Sequence, residues 1–545
     1  MKDTVSTLTI LLASTGLTFA SPVVGRGGHS VVLDSATVTG LTVGPVTKYL
    51  GIPFAQPPTG NLRFQLPQSL PAYNESFSAI EYGPACPQQI YTVPYIQELP
   101  QEVIDYLVDN VYSAILPSAE DCLTLNVVTP TGSTPESELP VVVWIFGGAF
   151  EFGGTSSYDG GIIVGQSIAL GVPAIYVSMN YRVNAFGFLA SQEVKDAGLG
   201  NFGLQDQRLA LRWVQKYISA FGGDPTKVTI WGESAGAISA ALQMVTNGGD
   251  AEGLFRAAFM QSGSPIPVGD ITHGQKYYDA IVDETGCSGS PDTLQCLREV
   301  PYDILLGAVN KSPSISSYQS LKLAWLPRVD GVFLMDDPQH LVQQGSVANI
   351  PFISGDCDDE GTVFALTAIN VTTDSQLEEY LQTEWLPASA IQQLLQLYPA
   401  DVTQGSPFDT GNLNALTPQF KRMAAIEGDA IFQSARRLFL QNQSGKQNIW
   451  TFLSKRLKAI PFLGSFHASD VLNVYGGGDM ASYLVRFVAN LDPNGGIDIN
   501  WPKYTAQQPN MLEFSDGLIT QTISQDTYRA EPIAFLIDLL LSYPL

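Results

Sequence analysis

One short stretch restricts the fold of this chain more than any other. Residues 228–236 read V-T-I-W-G-E-S-A-G, a β-branched and aromatic run that ends in a serine flanked by two glycines. Residues 237–244, which follow, are rich in alanine and compatible with a helix. A strand, a tight turn and a helix in this order predict a nucleophile elbow, in which glycines let strand and helix approach closely and leave the serine hydroxyl exposed. Ser234 is therefore the candidate nucleophile.

The rest of the chain shows the alternation that an α/β fold requires. The predicted strands are residues 140–146, 172–180, 254–261, 350–355 and 449–453, residues 204–220 are predicted to be helical, and residues 37–67 to form a meander at a sheet edge. Strands that alternate with helices favour a mostly parallel sheet with helices on both faces. Since the sequence has no internal repeat or low-complexity linker, residues 21–545 are expected to form a single domain with long insertions.

The N-terminal residues and the charge balance point to a secreted protein. Lys2, an apolar run at residues 8–13 and small residues up to Ala20 predict a signal peptide over residues 1–20, with a poorly ordered intracellular N-terminus as the alternative. No stretch approaches the roughly 18 apolar residues of a membrane span. The formal net charge of −25 argues against a nucleic-acid partner. Four N-x-S/T sequons agree with secretion: Asn74, Asn310, Asn370 and Asn442.

The cysteines suit an oxidising compartment. Cys86 with Cys122 and Cys287 with Cys296 would close two local loops and leave Cys357 free, although the sequence alone does not fix this pairing. Cys357 can be read as a nucleophile or as a small buried hydrophobic side chain. The second reading is favoured because no histidine lies near this cysteine in the sequence.

The loop between Cys86 and Cys122 contains an amphipathic segment. Residues 100–116 are bounded by prolines, and their apolar side chains recur at helical spacing on one face. The segment is predicted to be a helix. Geometry alone favours a surface helix packed on the core, and a mobile flap tethered at the cysteines is the alternative.

A glycine-rich turn follows the predicted strand at residues 140–146. Gly147, Gly148, Ala149 and Phe150 would lie at the carboxyl end of that strand. Such a turn can present several backbone N–H groups together, as an oxyanion hole requires. A simple tight turn is the alternative.

A serine nucleophile needs a base and an acid that orients the base. Among the histidines, His29, His273, His340 and His467, only His467 follows a predicted strand and a glycine-containing turn, so it is the candidate base. The acid is expected after residues 350–355, because the chain order in this fold is serine, acid, histidine. Four carboxylates compete there, and at least three are expected to be solvated turn residues: Asp356, Asp358, Asp359 and Glu360.

Several motifs resemble one enzyme family. They are F-G-G-D-P-x-K-V-T-I-W-G-E-S-A-G, E-D-C-L-T-L-N-V at residues 120–127, D-D-E-G-T at residues 358–362 and S-P-F-D-T-G-x-L-N-A-L-T-P-Q-F-K-R at residues 406–422. The chain is similar to the type-B carboxylesterase/lipase family, especially its Candida rugosa and Geotrichum lipases and fungal sterol esterases, and more distantly to cholinesterases. The resemblance runs from about residue 32 to the C-terminal region and implies an α/β-hydrolase fold.

The resemblance also implies roles for individual residues. Ser234 would be the nucleophile, Glu360 the acid and His467 the base, with Ser262 holding the acid. The oxyanion donors would be the N–H groups of Gly148, Ala149 and Ala235, where most relatives have a third glycine in place of Ala149. The two disulfides would be Cys86–Cys122 and Cys287–Cys296, and the loop 86–122 would be a lid over the site. The acyl tunnel would be lined by Leu321, Leu323 and Leu326.

These residues together predict a secreted serine ester hydrolase. It would cleave apolar esters such as acylglycerols through an acyl-enzyme on Ser234, without a metal or cofactor. Sterol esterase and short-chain carboxylesterase activities stay open, and so does a non-catalytic cholinesterase-like adhesion module. The expected partners are the ester substrate and a lipid–water interface met through the lid, and the expected assembly is a monomer or a weak homodimer.

Overall fold

The computed structural model describes residues 28–90, 101, 116–384, 386–496 and 498–545. The predicted signal peptide and nearly all of the predicted lid helix at residues 100–116 lie outside the described residues.

An eleven-stranded mixed sheet organises the described chain, and a three-stranded sheet of β1, β2 and β5 lies beside it. The large sheet has the order β14-β13-β12-β11-β10-β9-β7-β8-β6-β4-β3. The strands are β1 (Ser30–Leu33), β2 (Ala36–Thr39), β3 (Leu41–Val43), β4 (Val46–Pro53), β5 (Phe77–Ser78), β6 (Thr124–Pro130), β7 (Leu139–Ile145), β8 (Ile175–Met179), β9 (Gly223–Glu233), β10 (Ala257–Gln261), β11 (Phe352–Cys357), β12 (Ile449–Lys455), β13 (Asn510–Ser515) and β14 (Gln521–Gln525).

The predicted parallel core is confirmed. Seven neighbouring strands are parallel to one another: β8, β7, β9, β10, β11, β12 and β13. Strands β6, β4 and β3 at one edge and β14 at the other pair antiparallel. The predicted edge meander is divided between the two sheets, because β2 pairs with β1 and β5. Parallel strands bring their carboxyl ends to one edge of the sheet, where ligands bind in open α/β folds.

Helices connect most of these strands. The α-helices are α1 (Gly160–Ala169), α2 (Asn184–Phe188), α3 (Gln192–Asp196), α4 (Phe202–Tyr217), α5 (Ala235–Val245), α6 (Gln275–Glu284), α7 (Thr293–Glu299), α8 (Tyr302–Val309), α9 (Pro338–Gln344), α10 (Thr362–Ala365), α11 (Asp374–Glu384), α12 (Ala388–Leu397), α13 (Phe420–Gly428), α14 (Ser434–Gln443), α15 (Val471–Tyr475), α16 (Asp479–Asn490) and α17 (Ala530–Ser542). A π-helical turn, Asp429–Gln433, joins α13 to α14. None of the helices in the described ranges is long and apolar enough to cross a membrane.

Two hydrophobic clusters form the interior. The larger contains the buried side chains of the central sheet, including Trp144 and Trp231. The smaller is built mainly from residues of α10 to α13 and α17, and includes Leu463 and Phe466 next to His467. The histidine loop is thus packed against a second core.

The structure contains both expected disulfides, Cys86–Cys122 and Cys287–Cys296. Cys357 is free and fully buried, which agrees with the hydrophobic reading. Next to the first disulfide, Arg63 forms a two-pronged ion pair with Glu120, with Nε–Oε1 and Nη2–Oε2 distances of 2.6 and 2.7 Å. The two ends of the predicted lid loop are therefore joined covalently, and the ion pair attaches the C-terminal end to Arg63.

Candidate active site

Ser234 occupies a sharp turn between β9 and α5. Its backbone has φ 54° and ψ −127°, a conformation that L residues rarely adopt and that presents the side chain at the end of the strand. The glycines around it are required by space. A Cβ on Gly236 would lie 1.9 Å from the carbonyl oxygen of Ile145, and one on Gly232 would lie 2.3 Å from the carbonyl carbon of Gly236. The motif therefore lets α5 start directly against β7 and β9.

His467 reaches Ser234 from a loop that follows β12. Its Nε2 lies 2.8 Å from the Ser234 Oγ. Its Nδ1 lies 2.6 Å from Oε2 of Glu360, which follows β11. Strands β9, β11 and β12 end at the same edge of the sheet, and residues separated by more than 100 positions meet there. The arrangement can move a proton from the hydroxyl to the imidazole while the carboxylate holds the ring.

Glu360 is held by the main chain and by a serine hydroxyl. Its Oε1 accepts the N–H of Cys357 at 2.6 Å, and the Ser262 hydroxyl donates to the carboxylate. Burial raises the pKa of Glu360, and these two hydrogen bonds oppose that rise because they stabilise the charged form. The role of Ser262 in holding the acid stays a prediction.

The expectation that the neighbouring aspartates are solvated is wrong. Asp356, Asp358 and Asp359 are at most 4% exposed. Asp356 pairs with Arg436 at 2.7 Å, and the other two pair with Lys458. Buried carboxylates need charged or hydrogen-bonded partners, and these come from chain segments that the local sequence does not reveal.

The turn after β7 lies directly in front of the serine. A Cβ on Gly147 would lie 2.9 Å from the Cβ of Ser234, which shows how closely the two segments approach. In the described part of the chain, no backbone acceptor receives the N–H groups of Gly148 or Ala149. The N–H of Ala235 belongs to the first turn of α5, where helix donors have no partner within the helix. All three donors are thus available for an anionic oxygen.

Two phenylalanines enclose the imidazole. The ring centroids of Phe432 and Phe364 lie 4.6 and 5.1 Å from that of His467. Phe432 belongs to the π-helical turn, a rare element that is frequent at functional sites. Burial lowers the pKa of His467, which keeps the imidazole neutral and able to accept a proton. No sequence signal pointed to either ring.

Two further buried acids lie beside the site and were missed by sequence analysis. Oε1 of Glu233 lies 3.4 Å from the His467 Nε2, and Asp470 accepts a hydrogen bond from Gln261 at 2.9 Å. Burial raises the pKa of both acids, to about 6 for Asp470. Glu233 is part of the elbow motif, and Asp470 follows His467 by three residues. Their positions next to the predicted nucleophile and base could therefore have identified them as neighbours of the site.

For the remaining predicted residues, the structure gives a position but no contact that establishes the predicted role. Leu321, Leu323 and Leu326 are buried in the main core, where no contact distinguishes a tunnel lining from ordinary packing, so their role stays a prediction. His29 and His340 are exposed or half-buried, away from the serine. Among the sequons, Asn74 and Asn370 are exposed, whereas the side chains of Asn310 and Asn442 are half-buried and bonded to the main chain of Ile90 and Leu438.

Comparisons with known proteins agree with this geometry. A model of the carboxylesterase family matches residues 28–535. Lipase 4 of Diutina rugosa is 44% identical, over 93% of this chain and 97% of the lipase. The secreted triacylglycerol lipase LIP1 of Gibberella zeae is 41% identical, over 93% of this chain and 90% of the LIP1 chain. Among solved structures, Aspergillus niger EstA superposes with a TM-score of 0.81 at 26% identity, over 95% of this chain and 99% of EstA.

Proposed function

This chain belongs to the carboxylesterase family, and we propose that it is a secreted lipase that cleaves water-insoluble carboxylic esters through an acyl-enzyme on Ser234. The observation that carries the proposal is the continuous contact from the Ser234 hydroxyl through His467 to Glu360, at 2.8 and 2.6 Å. The turn at Gly147 approaches Ser234 closely, and within the described residues the N–H groups of Gly148 and Ala149 have no backbone acceptor, which supports an oxyanion hole there.

The first half of the reaction forms the acyl-enzyme. The Oγ of Ser234 attacks the ester carbonyl carbon while His467 Nε2 accepts the hydroxyl proton. The carbonyl oxygen becomes negative and is stabilised by the N–H groups of Gly148, Ala149 and Ala235. Removal of a single oxyanion donor typically costs ~2.7–4 kcal/mol in the transition state. The C–O bond to the alcohol then breaks, and the alcohol oxygen takes the proton from His467.

The second half repeats the same steps with water. His467 removes a proton from water as it attacks the acyl carbon, the oxyanion forms at the same donors, and the Ser234 oxygen leaves with the proton. Glu360 stays ionised and stabilises the imidazolium in both halves.

A long-chain ester is the substrate class that the available observations favour. The relatives include a protein named secreted triacylglycerol lipase, and a disulfide joins the two ends of the loop 86–122. An apolar face on this loop would cover the site in water and open at a lipid surface. Sterol esters and short-chain esters are the competing substrates within the same chemistry.

A substrate panel tests the proposal. Initial rates would be measured on p-nitrophenyl butyrate below and above its solubility limit, where an interface forms, and on emulsified triolein and cholesteryl oleate, with Ser234→Ala as the blank. The proposal predicts the highest rate on triolein and an increase once the interface forms. Hydrolysis of only the short soluble ester would contradict the lipid assignment, and equal rates for the wild type and Ser234→Ala would contradict the nucleophile.

A further inference from the structure

One sequence motif is not used by the reaction. Residues 406–422 form a loop followed by the start of α13. The loop is closed on itself, because the N–H of Ser406 donates to the carbonyl of Lys421 at 2.9 Å. It also contacts the histidine loop, where the N–H of Phe462 donates to Oδ1 of Asn414 at 3.0 Å.

The centre of these contacts is Asp359, the residue before the acid. Its side chain is completely buried and accepts four hydrogen bonds. Oδ1 accepts the hydroxyl of Ser406 at 3.1 Å and the N–H of Phe408 at 2.8 Å. Oδ2 accepts the ammonium of Lys458 at 2.7 Å and the N–H of Ser465 at 2.8 Å. One carboxylate thus connects three loops.

The contact with Ser465 bears directly on the base. The N–H of Asp359 also donates to the carbonyl of Ser465 at 3.0 Å, so the two residues are bonded in both directions. A parallel bridge then pairs Asp359 with Phe466, which precedes His467. The turn is tight, since a Cβ on Gly464 would lie 2.2 Å from Oδ2 of Asp359. The main chain is therefore held in place at Ser465, two residues before His467.

Lys458 supplies a positive charge next to Asp359, but this ion pair does not by itself distinguish Asp359 from Asp358. Its ammonium also contacts Asp358, at 2.6 Å, and Asp358 is nearly as buried as Asp359. Within the described residues, the carboxylate of Asp358 accepts no other hydrogen bond. The two aspartates thus share a cation, but within the described residues only the carboxylate of Asp359 is also bonded to Ser465, two residues before His467, and to the loop at residues 406–408.

We propose that Asp359 is a positioning residue that sets the distance between His467 and Glu360 by bonding the acid loop to the histidine loop and to the loop at residues 406–408. The role rests on the proposed function, because it concerns the geometry of the same proton transfer. It also gives the motif at residues 406–422 a purpose: the motif supplies the donors that hold the carboxylate of Asp359 in place.

Two matched variants test the role. In Asp359→Asn, an amide N–H₂ replaces one acceptor oxygen, so at least one donor of the loops loses its acceptor. Asp358→Asn removes one carboxylate from the same lysine and leaves the loops bonded. We expect Asp359→Asn to displace the His467 imidazole. Because small displacements of reacting groups are costly, kcat should fall at least about ten-fold with KM little changed. Asp358→Asn is expected to keep kcat within about two-fold of the wild type, because the bonds from Ser465 and from residues 406–408 to Asp359 stay in place; the loss of a buried ion pair should lower stability instead.

A spectroscopic readout separates this role from the proposed function. The strongly deshielded proton of the His467–Glu360 hydrogen bond should be visible by proton NMR in the wild type and in Asp358→Asn, and shifted or lost in Asp359→Asn. Equal kcat values and equal proton signals in the two variants would overturn the role of Asp359. Absence of ester hydrolysis by the wild type would overturn the proposed function, while the proton signals would still decide the positioning role.

A milder variant provides a second test in case Asp359→Asn does not fold. Ser406→Ala removes one of the four hydrogen bonds and leaves every charge in place. It is expected to lower kcat about two- to five-fold and the melting temperature by no more than a few degrees, in keeping with the loss of one hydrogen bond in a large chain. A wild-type kcat and an unshifted proton signal in Ser406→Ala would contradict the proposal.

Discussion

Ala149 lies in the turn proposed to form the oxyanion hole, and its backbone conformation limits which side chains can replace it. Its φ of 56° lies in the left-handed region, which alanine tolerates at a cost of roughly 1–2 kcal/mol and β-branched residues tolerate poorly. Ala149→Val should tilt the N–H group away from the oxyanion and lower kcat at least about ten-fold, because a lost donor costs 10²–10³. Ala149→Gly keeps the N–H and should retain near wild-type kcat. Equal kcat for the two variants would show that this amide does not stabilise the transition state.

Glu427 gives a prediction about pH at the same scale. This buried carboxyl accepts the Tyr380 hydroxyl at 2.8 Å, and burial raises its pKa from 4.5 to about 8. Between those values the folded state keeps a proton that the unfolded state releases, so Glu427 lowers the free energy of unfolding as pH rises through this window, by up to about 1.4 kcal/mol per pH unit. The melting temperature of Glu427→Gln minus that of the wild type should therefore increase from pH 4.5 to pH 8. A constant difference would contradict the assignment.

Among the elements, the crossing of β7, β9 and α5 tolerates the least change. Gly236→Ala would place a methyl group 1.9 Å from a carbonyl oxygen of β7, so α5 could not start where it does. We expect a strong loss of soluble protein and of activity, measured by yield and initial rate. Gly165→Ala is the matched control, because nothing lies within 4 Å of its Cβ in the middle of α1. That variant should be more stable by about 0.5–1 kcal/mol, since alanine is the better helix former. Similar losses in both variants would contradict the packing argument.

The elements also show which features the sequence could predict. Continuous apolar runs predict the parallel strands. Two glycines predict the elbow, and in the structure neighbouring backbone atoms leave no room for a side chain at either glycine. Choosing Glu360 over its neighbours was possible only through the resemblance. Asp356 and Asp358 are distinguished from it by Arg436 and Lys458, which lie 80 and 100 residues away. Such long-range partners leave no local pattern, and neither does the π-helical turn that carries Phe432.

At the scale of the whole molecule, the net charge of −25 should control adsorption to lipid. Like charges repel at an anionic interface, and the Debye length falls from about 30 Å at 0.01 M salt to about 10 Å at 0.1 M. Hydrolysis of triolein coated with an anionic surfactant should therefore rise between these salt concentrations. Hydrolysis of triolein coated with a zwitterionic lipid should change little. The same salt dependence on both surfaces would mean that net charge does not limit access to the interface.

The most direct test of the central claim is covalent labelling with a fluorophosphonate, followed by peptide mass spectrometry. The geometry around Ser234 predicts one adduct per chain, on the peptide that contains residue 234, with no adduct in Ser234→Ala and slower labelling in His467→Ala. Labelling of another residue in the wild type, or undiminished labelling of Ser234→Ala, would contradict a nucleophile activated by His467.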